Sequence, residues 1–365
     1  MEQENAMTER SEYLDIAKAL GIMAVVYGHA SGPFANFVSL YHMALFFFVS
    51  GFFFKDSYTP DPVALVKKRI KSLYVPFITY GLFFGLLHNF LFKVNIYTER
   101  LDSVYNKVSY LSTNREYLLN LLKIASFAKI EQILAPLWFL PVLFLVNMLF
   151  VAVSYVIYRI KPGRKELWLA VAIAGLFCLG FLFYPEKNLV LRPLSIAMVV
   201  TVMFYFGYLF KRYESAFDFN AAYAFACFMV LAVSSRFGTI DTGGHQFVSP
   251  AFYLACSLCG IYLNLYIAKA VVAGSLLKNF FVYAGRNTIT ILALHFLAFR
   301  AVNYLQVRFY DLPSYMTGQH PHLASSGSWW LVYFIAGMAL PLAGRAVYDR
   351  LKLALVKLRV SPTTA

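Results

Sequence analysis

The sequence predicts an all-α, polytopic integral membrane protein with about ten transmembrane helices, and three observations carry that expectation. Of the 365 residues 60% are hydrophobic and only 14% charged, with 36 Phe and 26 Tyr, well outside soluble usage. Apolar stretches long enough to cross a bilayer fall near 13–32, 37–54, 73–92, 136–158, 167–184, 193–210, 219–237, 250–272, 287–305 and 328–348. The Lys and Arg between these stretches are concentrated in alternate connections.

Placing the N-terminus inside collects Lys55, Lys67, Lys68, Arg69 and Lys71, then Arg159, Lys161, Arg164 and Lys165, then Lys211 and Arg212, then Lys278 and Arg286. The tail adds Arg345, Arg350, Lys352, Lys357 and Arg359. The opposite connections near 33–36, 238–249 and 306–327 contain Arg308 alone. Both termini are therefore expected in the cytoplasm. The formal charge of +14 is then mostly a topology signal, and nucleic-acid binding is not needed to explain it. The first twelve residues hold Glu2, Glu4 and Glu9 against Arg10, unlike the basic leader of a cleaved signal peptide, so the first span is expected to persist. Cys178, Cys227, Cys256 and Cys259 all fall inside spans, where a disulfide framework is not expected. The Cys256/Cys259 pair has no second pair or histidine beside it, so it reads as packing and no metal is expected.

In the first span Lys18 and His29 are eleven residues apart, three helical turns plus about 20°, so they share a face. The rise separates them by about 16 Å, half of a hydrocarbon layer of roughly 30 Å. If Lys18 is near one surface, His29 is deep, where an ionisable group is a functional candidate. Asp15 can pair with Lys18 at i,i+3, which would make the lysine a surface anchor. His42 enters the second span, where Ser50 and Gly51 interrupt FFFVSGFFF and permit close helix contact.

The next connection carries Lys68, Arg69 and Lys71 on a cationic amphipathic turn. It reads either as an interfacial segment on anionic lipid or as a phosphate site for a dinucleotide-like anion. Residues 93–135 form the longest connection, with YLLNLLKIASFAKIEQIL read as a helix lying on the outer leaflet and able to roof a cavity. Trp138 opens the fourth span at an interfacial position. Asp241 and His245 in DTGGHQ, and His320 and His322 in GQHPH, read as solvated loop residues. The ninth span starts at GRNTITILALHFLAFR, with Arg286 at the surface and His295 about 13 Å deeper. Thr288 shares its face at a spacing of seven, and Arg300 adds a second charge whose buried partners the sequence does not name.

LDIAKALGIMAVVYGH, YHMALFFFVSGFFF, KKRIKSLYVPF, PLWFLPVLFL, FYFGYLFKR and GRNTITILALH occur in this order over most of the chain. Together they resemble the membrane-bound acyltransferase-3 family, particularly its fucose 4-O-acetylase-like and polysaccharide O-acetyltransferase branch. Members typically carry an arginine shortly before an essential histidine, and here Lys18 stands in that place. The charge is kept but the bidentate grip of arginine is not. The resemblance implies a single transmembrane domain over 1–365 without the soluble domain that many members append. It also implies transfer of an acetyl group from cytoplasmic acetyl-CoA to a sugar hydroxyl of an exported or lipid-linked polysaccharide. The bacterial inner membrane is the expected location, with the bilayer, the glycan and a polysaccharide assembly machinery as partners.

On this reading His29 is the base, with Lys18, His295 and Ser50 as further catalytic candidates. Lys68, Arg69 and Lys71 are expected to hold the CoA phosphates, and His42, Trp138 and Arg300 to meet the acceptor. The alternative is a glycan or small-acid transporter, or flippase, relaying protons through the same histidines, although no repeat relates the two halves. A sensor or scaffold without turnover is a third class.

Overall fold

The computed structural model describes residues 2–101, 107–161, 163–183, 191–274, 276–323 and 327–360, with side chains from Glu12 to Leu355. Parts of two expected outer connections, 102–106 and 324–326, and the side chains of Lys357 and Arg359 lie outside the described residues. Among the described residues fifteen α-helices follow one another: α1 (Glu2–His29), α2 (Ala35–Ser39), α3 (His42–Phe52), α4 (Pro62–Arg69), α5 (Val75–Leu86), α6 (His88–Lys93), α7 (Asn114–Ala125), α8 (Phe139–Ile160), α9 (Lys165–Leu182), α10 (Arg192–Tyr213), α11 (Ala221–Ser234), α12 (Pro250–Gly274), α13 (Lys278–Arg286), α14 (Thr288–Phe309) and α15 (Trp329–Val360). Among the described residues no β-strand forms, only an isolated bridge between Asp241 and Gln246.

Among the described residues seven segments are long and apolar enough to cross a membrane: Ala35–Phe52, Gln132–Ile160, Lys165–Leu182, Arg192–Ala216, Pro250–Gly274, Thr288–Phe309 and Trp329–Leu355. They correspond to seven of the ten stretches read from the sequence. The other three are α1, the α5–α6 pair and α11. The described part of α1 carries Glu12, Asp15 and Lys18, but each charge is paired: Glu12 with Lys278 at 2.6 Å, and Asp15 with both Lys18 at 2.7 Å and Arg286 at 2.9 Å. Pairing offsets part of the cost of holding such groups near hydrocarbon, and the Lys278 and Arg286 side chains remain partly exposed. The Asp15–Lys18 pair allowed by the sequence is thus present and extended by α13.

Two expected boundaries need correction. The ninth span does not begin at Arg286. Asn287 breaks the chain between α13 and α14, and its side-chain amide donates to Tyr283 O at 2.9 Å, taking a carbonyl that a continuing helix would need. The second span is interrupted as well. A turn at Leu40–Tyr41 leaves α3 only 11 residues long, about 16 Å or half a hydrocarbon layer. His42 therefore starts its helix near mid-depth. Irregular backbone at that depth is stable only where protein covers it or a cavity meets it.

The cover comes from α10, which packs on α3, α8 and α9, and from α1 and α12. Where α3 crosses α10, a Cβ on Gly51 would lie 1.8 Å from Phe204 O and one on Gly207 1.8 Å from Phe48 O, so only glycine permits the approach. One end of the bundle, the basic end, carries Lys55, Lys67, Lys68, Lys71, Lys211, Arg212 and Lys278. The opposite end, the loop end, carries 30–41, the 93–135 connection, 238–249 and 310–323. There α7, fixed by a Thr113–Glu116 capping box, lies against α5 through buried Ile124, as the amphipathic pattern predicted, over a shorter range.

Candidate active site

Toward the loop end two imidazoles stack inside the bundle. The rings of His29, the last residue of α1, and His295, two turns into α14, lie 5.4 Å apart at an interplanar angle of 24°. His295 is fully buried whereas His29 is partly accessible. His295 Nδ1 donates to Ile291 O at 3.0 Å. A carbonyl only accepts, so the neutral ring carries its hydrogen on Nδ1 and keeps a lone pair on Nε2. That Nε2 is buried without a partner among the described residues. A basic nitrogen is thus held in position without a hydrogen bond to quench it. The ring nitrogens of His29 likewise make no hydrogen bond among the described residues, and Phe296 stands edge-on to it at 4.9 Å.

His42, His320 and His322 lie within electrostatic reach of His29. His42 Nδ1 bonds Val38 O at 2.7 Å across the interrupted span, again leaving Nε2 as the lone-pair nitrogen. The expectation that His320 is solvated is overturned, whereas His322 is half-buried. His320 is 7% exposed, sits edge-on to Phe296 at 4.8 Å, and accepts from Arg300 Nη2 on Nδ1 at 3.2 Å. Its hydrogen is therefore on Nε2. Burial, with the Arg300 cation beside it, pushes His320 down to about 3. Burial and Arg300 also lower His322, whose Nε2 lies 2.8 Å from Ser31 Oγ.

This loop is tucked in because α14 presents a buried polar stripe at spacings of three, Arg300, Asn303 and Gln306, which must find partners. Arg300 uses all five of its N–H groups: Nε to Ile96 O at 3.2 Å, Nη1 to Gln319 O at 2.5 Å and Pro321 O at 3.1 Å, and Nη2 to Gln132 Oε1 at 3.4 Å and His320. It thereby supports the site and has no N–H left for a substrate. Asn303 donates to Thr317 O and Gln319 O and accepts from Leu323 N and Tyr333 OH. In the Gly-rich loop His245 is buried, contrary to the expectation that it is solvated, whereas Asp241 is half-buried. Asp241 accepts from Gly244 N at 2.8 Å, His245 is 7% exposed, and Gly243 packs against the indole of Trp138.

Lys18 does not join the histidines. It lies about 16 Å back along α1, in its ion pair with Asp15. Ser50 is half-buried, its hydroxyl oxygen covered and without a partner among the described residues, eight residues (about 12 Å) along α3 from His42 and toward the basic end. The basic cluster divides. Lys68 and Lys71 are exposed, Lys68 donating to Tyr58 OH at 3.0 Å, whereas Arg69 turns inward, 8% exposed, with Nε on Asn147 Oδ1 at 2.8 Å. Beneath the loop end a buried pair links His88 Nδ1 to Glu131 Oε2 at 2.8 Å. Tyr97 and Asn120 bond the same carboxylate, anchoring the long connection.

A helical bundle with seven apolar crossing segments and a recessed histidine cluster defines a polytopic membrane protein with a polar site inside it. Residues 11–345 match the acyltransferase domain of the acyltransferase-3 family, and the chain belongs to that family of membrane acyltransferases. No curated protein and no solved structure matches the chain.

Proposed function

We propose that this acyltransferase moves an acetyl group from acetyl-CoA to a sugar hydroxyl of an exported or lipid-linked polysaccharide. It does so in a bacterial inner membrane, with its basic end and both termini in the cytoplasm. The observation that supports this most directly is the stacked His29–His295 pair, recessed between a cationic end suited to a nucleotide donor and a loop end that faces the other side.

In the reaction the acceptor oxygen attacks the thioester carbonyl while its proton passes to His29. The tetrahedral oxyanion is met by the His320 Nε2–H. The C–S bond then breaks, and the proton returns from His29 to the departing thiolate. His295, with its Nδ1 hydrogen committed to Ile291 O, supports His29 from beneath. Ser50 lines the path of the thiol arm from the basic end, where Lys68 and Lys71 hold phosphate oxygens and Lys18 marks the entry. His42 and Trp138 face the acceptor. Direct transfer is preferred to an acetyl-histidine intermediate because a long thiol arm reaches mid-membrane.

Transfer of labelled acetyl to glycan by protein in liposomes tests the assignment. His29→Ala should lower kcat by about 100- to 10,000-fold with donor binding retained. Wild-type turnover by a correctly inserted His29→Ala protein would refute it, and label trapped on His29 without acceptor would select the covalent route.

A further inference from the structure

A second face of α14 carries a cavity that the proposed chemistry does not use. It is an apolar groove of about 570 Å³ between α14, α15 and residues 94–96, lined by Leu294, Leu297, Ala298, Ala301 and Leu305 with Leu340 and Pro341 opposite. Steps of 100° put this row about 120° around α14 from His295. From Leu294 to Leu305 it runs about 16 Å, the depth of one leaflet. Ala298 and Ala301, the small residues of the row, make the trough.

The groove ends at the loop end under a cationic rim. Arg308, one turn beyond Tyr304 of the lining, bonds the Tyr304 hydroxyl through Nε at 3.2 Å. Lys93 adjoins Val94 of the lining and is exposed. Arg100 lies 5.2 Å over the ring of Tyr315, two residues from Thr317 of the lining. Against these three cations stand Asp311, which acts on Arg308, and Glu99, which accepts from Tyr110 N. The walls are the residues that also support the site, because Ile96 and Arg300 line the groove and are bonded to each other.

We propose that this groove binds the acceptor's carrier as a single-chain, phosphate-headed lipid of the polyprenyl phosphate class. The chain lies along Leu294–Leu305 and the phosphate meets Lys93, Arg100 and Arg308. An apolar trough one leaflet deep, capped by cations at the level of the headgroups, matches that chemistry on both counts. A sugar attached to the phosphate then emerges beside the 314–323 loop that carries His320 and His322. As the identity of a carrier this rests on the acetyl-transfer reading, but its binding is measured without turnover.

Purified protein in nanodiscs would be titrated by native mass spectrometry with a polyprenyl phosphate, the same polyprenol lacking phosphate, and phosphatidylglycerol. The phosphate-headed polyprenyl lipid should bind at least about tenfold more tightly than the other two. Ala301→Trp, a lipid-facing change that fills the trough, should weaken it about tenfold or more. Lys93→Gln with Arg308→Gln should bring its affinity down to that of the polyprenol. Equal binding of phosphatidylglycerol, or an Ala301→Trp protein that binds as wild type does, would overturn the proposal. Wild-type protein that shows this lipid preference but transfers no acetyl would refute the proposed function and leave the groove standing. Acetyl transfer without the preference would refute the groove alone.

Discussion

Replacing Arg300 by lysine tests the idea that a saturated guanidinium holds the 314–323 loop over the histidines. Arg300 donates five hydrogen bonds, and three of the acceptors lie on residues 319–321. An ammonium on a flexible stem has three donors, so at least two acceptors are left without the cation. Bonds to a charged group contribute about 1.5–3 kcal/mol each, so losing two of the three loop acceptors costs about 3–6 kcal/mol of loop docking. At 1.4 kcal/mol per tenfold, the loop should open about 100- to 10,000-fold more often. Hydrogen exchange of the Met316, Gln319 and Leu323 amides, which are bonded to Pro313 O, Met316 O and Asn303 Oδ1, reads that opening directly. Arg308→Lys, on the exposed rim of the same helix, serves as the comparison and should leave these amides protected. Unchanged exchange in Arg300→Lys would mean that the loop is held by Asn303 and packing alone, and the argument from donor number would be wrong.

Acidification should loosen the same loop. His320 is held neutral with its value lowered to about 3, whereas the unfolded residue titrates near 6.5, so the open loop binds more protons between those values and docking weakens as pH falls through that window. Protease sensitivity of 314–323 should rise from pH 7 to pH 4, and His320→Gln should flatten that response. Lys18→Ala should raise donor KM while Lys18→Arg keeps much of the activity, measured as acetyl-CoA turnover; equal loss in both would remove Lys18 from the donor path. Neutralising Lys68 and Lys71 together should raise donor KM about tenfold or more at normal stability. Arg69→Gln, by contrast, should lower thermal stability by breaking its buried bond to Asn147, and the opposite pattern would invert the division drawn between them.

The class of this protein was legible in the sequence because hydrophobic length and the placement of Lys and Arg are local quantities that a bilayer reads one segment at a time. The shared face of Lys18 and His29 was legible for the same reason, since helical periodicity within one segment needs no partner. The Asp15–Lys18 pair followed from a spacing of three, and the amphipathic helix before the fourth span from its apolar repeat. The depth of Arg300 in the ninth span also signalled that it needs buried partners, although nothing in the sequence named GQHPH as their source.

What the tertiary structure decided was which residues meet. The stacking of His29 on His295 joins positions separated by most of the chain, and it depends on a break at Asn287 that starts α14 at Thr288 and on a turn at Leu40–Tyr41 that leaves α3 only 11 residues long. The burial of His320 depends on carbonyls of its own loop finding the guanidinium of Arg300. Composition marks such a loop as solvated, because it records how polar the residues are and carries no information about the donors waiting on another helix. Arg69 separates from Lys68 and Lys71 on the same ground: adjacent in sequence and alike in charge, they diverge because Asn147 offers one of them a buried acceptor.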